Sequence, residues 1–175
     1  MKIVIIYKSR TGFTKQYAKW ICDELQCEMV DYSEVGKLNL NEFDIVIYGG
    51  RVHAGKIDRL SKVRELLKNK KCKLIVFATG ATPNEAIEEI QKTMKNNFND
   101  KSIPHFYMQG GLCYEKMGFV DKTIMKMMSK MLASKENKSD IKNGMATAIS
   151  KSHDISSKDY IMPLVEYVKN MNTSM

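Results

Sequence analysis

Apolar runs of strand length recur along the chain at Lys2–Tyr7, Glu28–Tyr32, Asp44–Gly50, Lys73–Gly80 and Ile103–Gly111. Three of them are almost unbroken β-branched or aromatic sequence: Ile-Val-Ile-Ile-Tyr, Ile-Val-Ile-Tyr and Leu-Ile-Val-Phe. Runs without a polar alternation mark strands buried on both faces, the condition of a parallel sheet covered by helices. Between the runs the apolar period lengthens. Tyr17, Ala18, Ile21, Cys22 and Leu25 repeat at helical spacing within Thr14–Gln26, and Leu60, Val63, Leu66 and Leu67 do so within Asp58–Asn69. Thr82-Pro83-Asn84-Glu85 reads as a capping box with proline at the first helical position, which predicts a helix from there to about Phe98. The resulting order, β-α-β-(short)-β-α-β-α-β, indicates an α/β fold: an open, doubly wound parallel sheet with helices on both faces.

After the fifth strand the pattern changes. Met117, Val120, Ile124, Met127, Met128 and Met131 fall on one face of an amphipathic helix spanning Met117–Leu132, with Lys122, Lys126 and Lys130 in line at a spacing of four. Three roles are open to this helix: cover for one sheet face, an element lying on a membrane surface, and a dimer interface. Residues 134–157 are polar and weakly patterned, and Tyr160–Met171 reads as a final helix with Pro163 in its first turn. The expectation is one domain over residues 1–175, with residues 115–157 as a helical insertion before the last helix.

Composition narrows the class. The 175 residues are 43% hydrophobic and 27% charged, ordinary globular usage that excludes disorder and fibrous repeats. No apolar run approaches the ~18 residues of a membrane span. Met1–Tyr7 stops at Lys8 without a cleavage site, so a cytoplasmic location is expected, at most peripheral to the inner face of the membrane. Cys22, Cys27, Cys72 and Cys113 form no CxxC pair or metal-ligand spacing, which implies free thiols and no metal. The net charge of +8 is local: Lys56–Lys73 holds eight basic residues against Asp58 and Glu65, and Lys116–Lys138 holds six lysines against Asp121 and Glu136. With no zinc-finger spacing, no aromatic single-strand motif and one Trp, the basicity does not indicate nucleic acid. It indicates an anionic ligand or surface, Lys116–Lys138 being the segment that would meet an anionic membrane.

In an open parallel sheet the chemistry sits beyond the carboxyl ends of the strands. After strand one comes Ser9-Arg10-Thr11-Gly12-Phe13-Thr14, hydroxyl-rich and opening a helix. Free amides at a helix N-terminus, with hydroxyl donors, suit a phosphate. The loop lacks the lysine of nucleoside-triphosphate sites and the GxGxxG of dinucleotide sites, which favours a terminal phosphomonoester. Strand three ends in Gly49-Gly50-Arg51-Val52-His53-Ala54-Gly55, strand four in Ala78-Thr79-Gly80-Ala81-Thr82, and strand five in Gly110-Gly111-Leu112-Cys113-Tyr114. Small residues there let backbone approach a flat ring edge-on.

The Ser9–Thr14 loop resembles that of the flavodoxins, whose T/S-x-T-G-x-T segment holds the phosphate of FMN. The resemblance implies a flavodoxin-like sheet of five parallel strands in the order 2-1-3-4-5, and FMN as cofactor, with Ser9, Arg10, Thr11, Gly12, Phe13 and Thr14 at its phosphate, and Gly50, Arg51, Val52, His53, Ala54, Gly55, Thr79, Gly80, Ala81 and Thr82 at its ring. Gly111, Leu112, Cys113 and Tyr114 would lie beside the ring. Asp44–Gly50 with Val52-His53-Ala54-Gly55, Gly110-Gly111-Leu112-x-Tyr114 and the Lys/Met helix are similar to one branch, the menaquinone-dependent protoporphyrinogen IX dehydrogenases of haem synthesis. That branch implies an oxidoreductase with a porphyrinogen substrate and a quinone acceptor. Ala54 departs from the aromatic that often flanks the ring, so stacking would fall to Tyr114 or His53. His53 has two readings, a residue donating to the ring or taking a substrate proton, and a partly exposed loop histidine. The alternatives are an electron carrier exchanging with a redox partner, against which the +8 charge argues because carriers of this fold are usually acidic, and an FMN-binding module without turnover.

Overall fold

The computed structural model describes residues 1–98, 102–116, 118–119, 122–123, 127 and 152–173. The chain divides into two units, Met1–Gly110 with Ser156–Met175, and Gly111–Ile155.

The first unit is built on β1 (Ile3–Lys8), β2 (Glu28–Asp31), β3 (Ile45–His53), β5 (Lys73–Gly80) and β6 (His105–Gln109), all parallel, in the order β2-β1-β3-β5-β6. This is the doubly wound arrangement the runs predict. One addition was not expected: β4 (Lys56–Ile57) folds back antiparallel on the end of β3. Val4, Ile5 and Ile6 in β1, Val46, Ile47 and Tyr48 in β3, and Ile75 to Ala78 in β5 have no exposed surface at all. The central strands are therefore buried on both faces, which is why their sequence does not alternate.

Ile3, Ile5 and Tyr7, with Ile47, Ile75, Phe77 and Met108, point to one face. There they meet α1 (Phe13–Leu25), through Tyr17, Ala18 and Ile21, and α4 (Met162–Thr173), through Leu164, Val165 and Val168. Val4, Ile6, Val46, Tyr48, Val76 and Ala78 point to the other face. They are covered by Leu60, Val63 and Leu67 of α2 (Leu60–Leu67), by Met94 of α3 (Ile87–Asn97), and by Leu40, Phe43 and Phe98. Each fully buried aliphatic or aromatic side chain contributes about 1.5–3 kcal/mol. The short connection from β2 to β3 is two 3-10 turns, Tyr32–Lys37 and Leu40–Glu42; Asp31 caps the first by accepting from the Ser33 N–H at 2.9 Å.

Two helices begin later than the sequence predicts. α2 starts at Leu60 rather than Asp58, because Asp58 is held in the hairpin: its N–H donates to the Arg51 carbonyl (2.9 Å), its carbonyl accepts from the Tyr48 hydroxyl (2.5 Å), and Arg59 takes the left-handed φ of 58°. α3 starts at Ile87, not at a Thr82 capping box. The Asn84 N–H goes to Oε1 of buried Gln109 (3.1 Å) and the Ala86 N–H closes a turn on the Pro83 carbonyl (3.0 Å), so residues 82–86 form a loop tied to β6. At the C-terminus a 3-10 turn, Lys158–Ile161, capped by the Ser157 hydroxyl, leads into α4 with Pro163 near its start.

In the second unit, β7 (Gly111–Leu112) pairs antiparallel with β8 (His153–Asp154), Gly111 facing Asp154 and Leu112 facing His153. The two ends of the expected insertion are thereby joined. Most of the predicted Met117–Leu132 helix lies outside the described residues, although the Lys122 N–H donates to the Gly118 carbonyl at 3.0 Å, a helical spacing. Phe119 and Met127 are exposed, at 85% and 66%. Among the described residues no helix is long and apolar enough to cross a membrane.

Candidate functional site

The parallel register decides which loops meet. Lys8 lies beside Gly50, Arg51 beside Thr79, and Gly80 beside Gln109. The ends of β1, β3, β5 and β6 therefore finish side by side along one sheet edge, and the loops after β1 and β5 are brought together there.

The loop after β1 turns tightly into α1. Gly12, at φ 108°, occupies a left-handed position as N-cap, where a side chain would be strained, and its N–H donates to the Ser9 hydroxyl oxygen at 3.2 Å. The first intrahelical bond is from the Gln16 N–H to the Gly12 carbonyl (2.9 Å), which leaves the amides of Phe13, Thr14 and Lys15 without helical partners. These amides and the positive end of the helix dipole form a cradle for an anion. Ser9, Thr11, Gly12 and Phe13 are half-buried around it, whereas Arg10 is exposed.

Thr14 belongs to the wall of this cradle. Its hydroxyl and that of Thr79 lie 2.7 Å apart, both side chains almost wholly buried, so the first turn of α1 is bonded directly to the end of β5. In a hydroxyl pair one proton is consumed and the other remains available to a third acceptor. Gly80 is packed against Tyr107, whose hydroxyl would lie 2.7 Å from an added Cβ. That hydroxyl donates to the Thr82 carbonyl at 2.9 Å and fixes the 79–82 loop, of which Ala81 is exposed and Thr82 half-buried. Burial pushes the Tyr107 phenol up to about 12, so it is a neutral donor across the physiological range.

Gly50 to Gly55 differs from the loop expected there. β3 continues to His53, and Ala54 (φ 48°) and Gly55 (φ 74°) form a two-residue hairpin turn into β4. Gly49 and Gly50 serve packing: an added Cβ would come within 2.7 Å of the Phe77 ring at Gly49 and within 2.8 Å of Ile57 Cγ2 at Gly50. Gly50 is buried, Arg51 and Val52 are half-buried, and His53 and Ala54 are exposed on the hairpin. Arg51 Nε lies 3.8 Å from an Asp58 carboxylate oxygen in the same corner. The second unit holds Gly111, Leu112, Cys113 and Tyr114. There an added Cβ at Gly111 would strike the His153 carbonyl, and Cys113 and Ser152 both donate to Glu115, at 3.4 and 2.8 Å.

Two further residues organise the edge and were not singled out by sequence. The Tyr17 hydroxyl, fully buried on α1, donates to the Gln109 carbonyl and accepts from the Ser157 N–H at 3.2 Å. Gln109 in turn receives Asn84. The available signal was a glutamine closing an otherwise apolar strand and a tyrosine on the buried stripe of a helix. Among the described residues no group of His, Cys, Asp or Glu could hold a metal ion.

A family model described as a flavodoxin domain matches residues 4–140. No curated protein matches the chain by sequence. Among solved structures the chain is similar to oxidised flavodoxin 2 from Bacillus cereus, at 18% identity over 86% of this chain and 98% of that one, with a TM-score of 0.43. It is also similar to a flavoprotein in complex with FMN from Lactobacillus acidophilus, at 15% identity over 62% of this chain and 91% of that one, with a TM-score of 0.43. A third similar structure is the Trp repressor binding protein from Bacillus subtilis, at 14% identity over 78% and 100% of the two chains, with a TM-score of 0.44.

Proposed function

The chain belongs to the flavodoxin-domain family, and from that premise we propose that it is an FMN-binding oxidoreductase similar to the protoporphyrinogen IX dehydrogenases, passing electrons to a quinone. The observation that carries the cofactor is the cradle at the start of α1, where the turn at Gly12 (φ 108°) leaves the amides of Phe13, Thr14 and Lys15 without helical partners in a loop that also carries the Ser9 and Thr11 hydroxyls. This fits a phosphomonoester, and the packed edge beside it, Gly50–Arg51 and Thr79–Thr82, offers backbone to a ring.

FMN, when bound, supplies the hydride or electron chemistry. The chain's residues would do the rest. Ser9, Thr11 and the amides of Phe13 and Thr14 bind the phosphate. The Thr14–Thr79 pair holds the phosphate loop against the ring-side strand. Tyr107, through Thr82, keeps the 79–82 backbone in place. His53, exposed on the hairpin, is the residue proposed to donate to the ring edge or take a substrate proton. Arg51, Val52, Ala54 and Gly55 would approach the ring with it.

The charge supports an enzyme over a carrier. A +8 chain with a basic segment starting at Lys56, directly after the hairpin turn, suits an anionic substrate better than the acidic surface of a carrier docking on basic partners. The Lys116–Lys138 segment is proposed to lie on an anionic membrane surface, where the quinone is. Anaerobic incubation of the FMN-loaded protein with protoporphyrinogen IX and a menaquinone analogue tests the reading. Quinone-dependent formation of protoporphyrin supports it; reduction only by a partner reductase, with no porphyrinogen turnover, replaces it with the carrier. In co-sedimentation, binding should require anionic lipid and weaken at high salt.

A further inference from the structure

A cavity of about 610 Å³ opens between β4, α2 and the C-terminal end of α3, on the sheet face opposite α1 and α4. We propose that it is a binding site for a small polyanion bearing carboxylate or phosphate groups, with Arg64 as its anchoring donor, distinct from the phosphate cradle at the start of α1. Its size lies within the range of small-molecule sites.

The walls are rigid and their polar groups are mostly accounted for. Asn97 staples α3 to the hairpin: its Oδ1 accepts from the Ile57 N–H (2.9 Å), and its Nδ2 donates to the carbonyls of Gly55 (2.9 Å) and Thr93 (2.7 Å). Lys56 reaches across to donate to the Asn96 carbonyl at 3.1 Å. Ile57 and Leu60, both buried, form an apolar floor.

Arg64 is the exception. Its Nε is buried and, among the described residues, has no hydrogen-bond partner. Its guanidinium carbon stands 5.2 Å from the centre of the Phe98 ring, and Phe98 is itself stacked on His105 at 4.2 Å and 5°. A guanidinium over an aromatic ring spends no N–H on that contact, so its donors remain for carboxylate or phosphate oxygens, which a guanidinium pairs in bidentate fashion. A buried donor without a partner is costly, and a ligand acceptor would relieve it. One helical turn on, Lys68 lines the same cavity, and no ion pair among the described residues neutralises either side chain. Glu65 is the one carboxylate in the wall, against the cations of Lys56, Arg64 and Lys68. The chemistry selects an anion with more than one charged group, large enough to meet Arg64 and Lys68 together.

The test is calorimetric titration of the full chain at low salt with citrate and with pyrophosphate, in saturating FMN so that the loop after β1 is not offered to the probe. One site is expected, and the preferred probe assigns the ligand to carboxylates or to phosphates. Arg64→Met keeps the length of the side chain and its packing on Phe98 and is expected to weaken binding tenfold or more, since a hydrogen bond to a charged group is worth about 1.5–3 kcal/mol. Lys68→Gln, at an exposed position that does not threaten folding, is expected to weaken it severalfold. Lys19→Gln, an exposed lysine on α1 across the sheet, should leave it unchanged. Failure of both probes to bind overturns the proposal, as does undiminished affinity in Arg64→Met and Lys68→Gln, or an equal loss in Lys19→Gln. The flavin spectrum of the same samples reports the cofactor reading separately.

Discussion

The two faces of the sheet are made from the same strands, yet they are covered to different depths. On one, α1 (13 residues) and α4 (12 residues) lie over Ile5, Ile47, Ile75 and Phe77, and all of these side chains are sealed. On the other, α2 has only eight residues, and α3 buries only Met94. The cavity lined by Arg64 and Lys68 is the consequence. A sheet needs both faces shielded to protect its backbone, but beyond that minimum the cover can be thin, and thin cover leaves room for a ligand. The sealed face instead serves the strand ends: it carries α1, whose start is the proposed phosphate cradle, and Tyr17, which ties that helix to Gln109 and Ser157.

The difference predicts a graded response to truncation. Phe77→Ala, on the sealed face, should cost about 4 kcal/mol in denaturant unfolding, because nothing nearby can collapse into the space. Gly49→Ala alone should cost about 2 kcal/mol, since its Cβ would fall within 2.7 Å of the Phe77 ring; combined with Phe77→Ala that penalty should vanish, giving a strongly non-additive cycle. Leu60→Ala, on the thinly covered face beside the cavity, should cost only about 2 kcal/mol, the low end for its type, because its site already borders open volume. Equal losses for Phe77→Ala and Leu60→Ala would abolish the contrast between the faces.

Two smaller effects sharpen it. Thr14→Val strands the Thr79 hydroxyl in a buried site and should cost about 1.5 kcal/mol, while Thr14→Val with Thr79→Val should cost less than the sum of the single changes. Asp31→Ala removes the cap from the first 3-10 turn, whose Tyr32 and Val35 pack on the thinly covered face, and should cost about 1 kcal/mol. Burial draws the Asp31 carboxyl upward, but hydrogen bonds from the Ser33 amide and hydroxyl and the charges of Lys8 and Lys15 outweigh it and hold the group below the ordinary range near 4. A lowered carboxyl stabilises the fold above that range and loses the contribution as pH falls through the folded value. Acid titration of stability should therefore be flatter in Asp31→Ala than in the parent below about pH 4.

What could be read in advance was whatever depended on continuous chain. The parallel strands and the start of α1 follow from unbroken β-branched runs and from Ser9–Thr14, where the loop chemistry and the helix start lie in adjacent residues; the strand order follows from the flavodoxin resemblance. What could not be read depended on where a single hydrogen bond went. Thr82-Pro83-Asn84-Glu85 has every residue of a capping box, but Gln109, remote in sequence, takes the Asn84 N–H and holds the segment open. The β3–β4 hairpin escaped notice because its turn is Ala54-Gly55, with alanine at a φ of 48° where asparagine or glycine is the usual signal. Thr14 and Thr79 were each placed in a binding loop; that they bond one another is a matter of register between α1 and β5. The Arg64 cavity needed three elements at once. The Met117–Leu132 helix falls mostly outside the described residues.

The central claim is that the chain holds FMN through the cradle at the start of α1, and fluorescence titration of the flavin-free protein with FMN and with riboflavin tests it most directly. The two ligands share the ring and differ in the phosphate, so the account predicts stoichiometric binding of FMN and affinity for riboflavin at least about a hundredfold weaker, as expected from losing two or more charge-assisted hydrogen bonds. Equal affinity for the two, or no saturable binding of FMN, would contradict it.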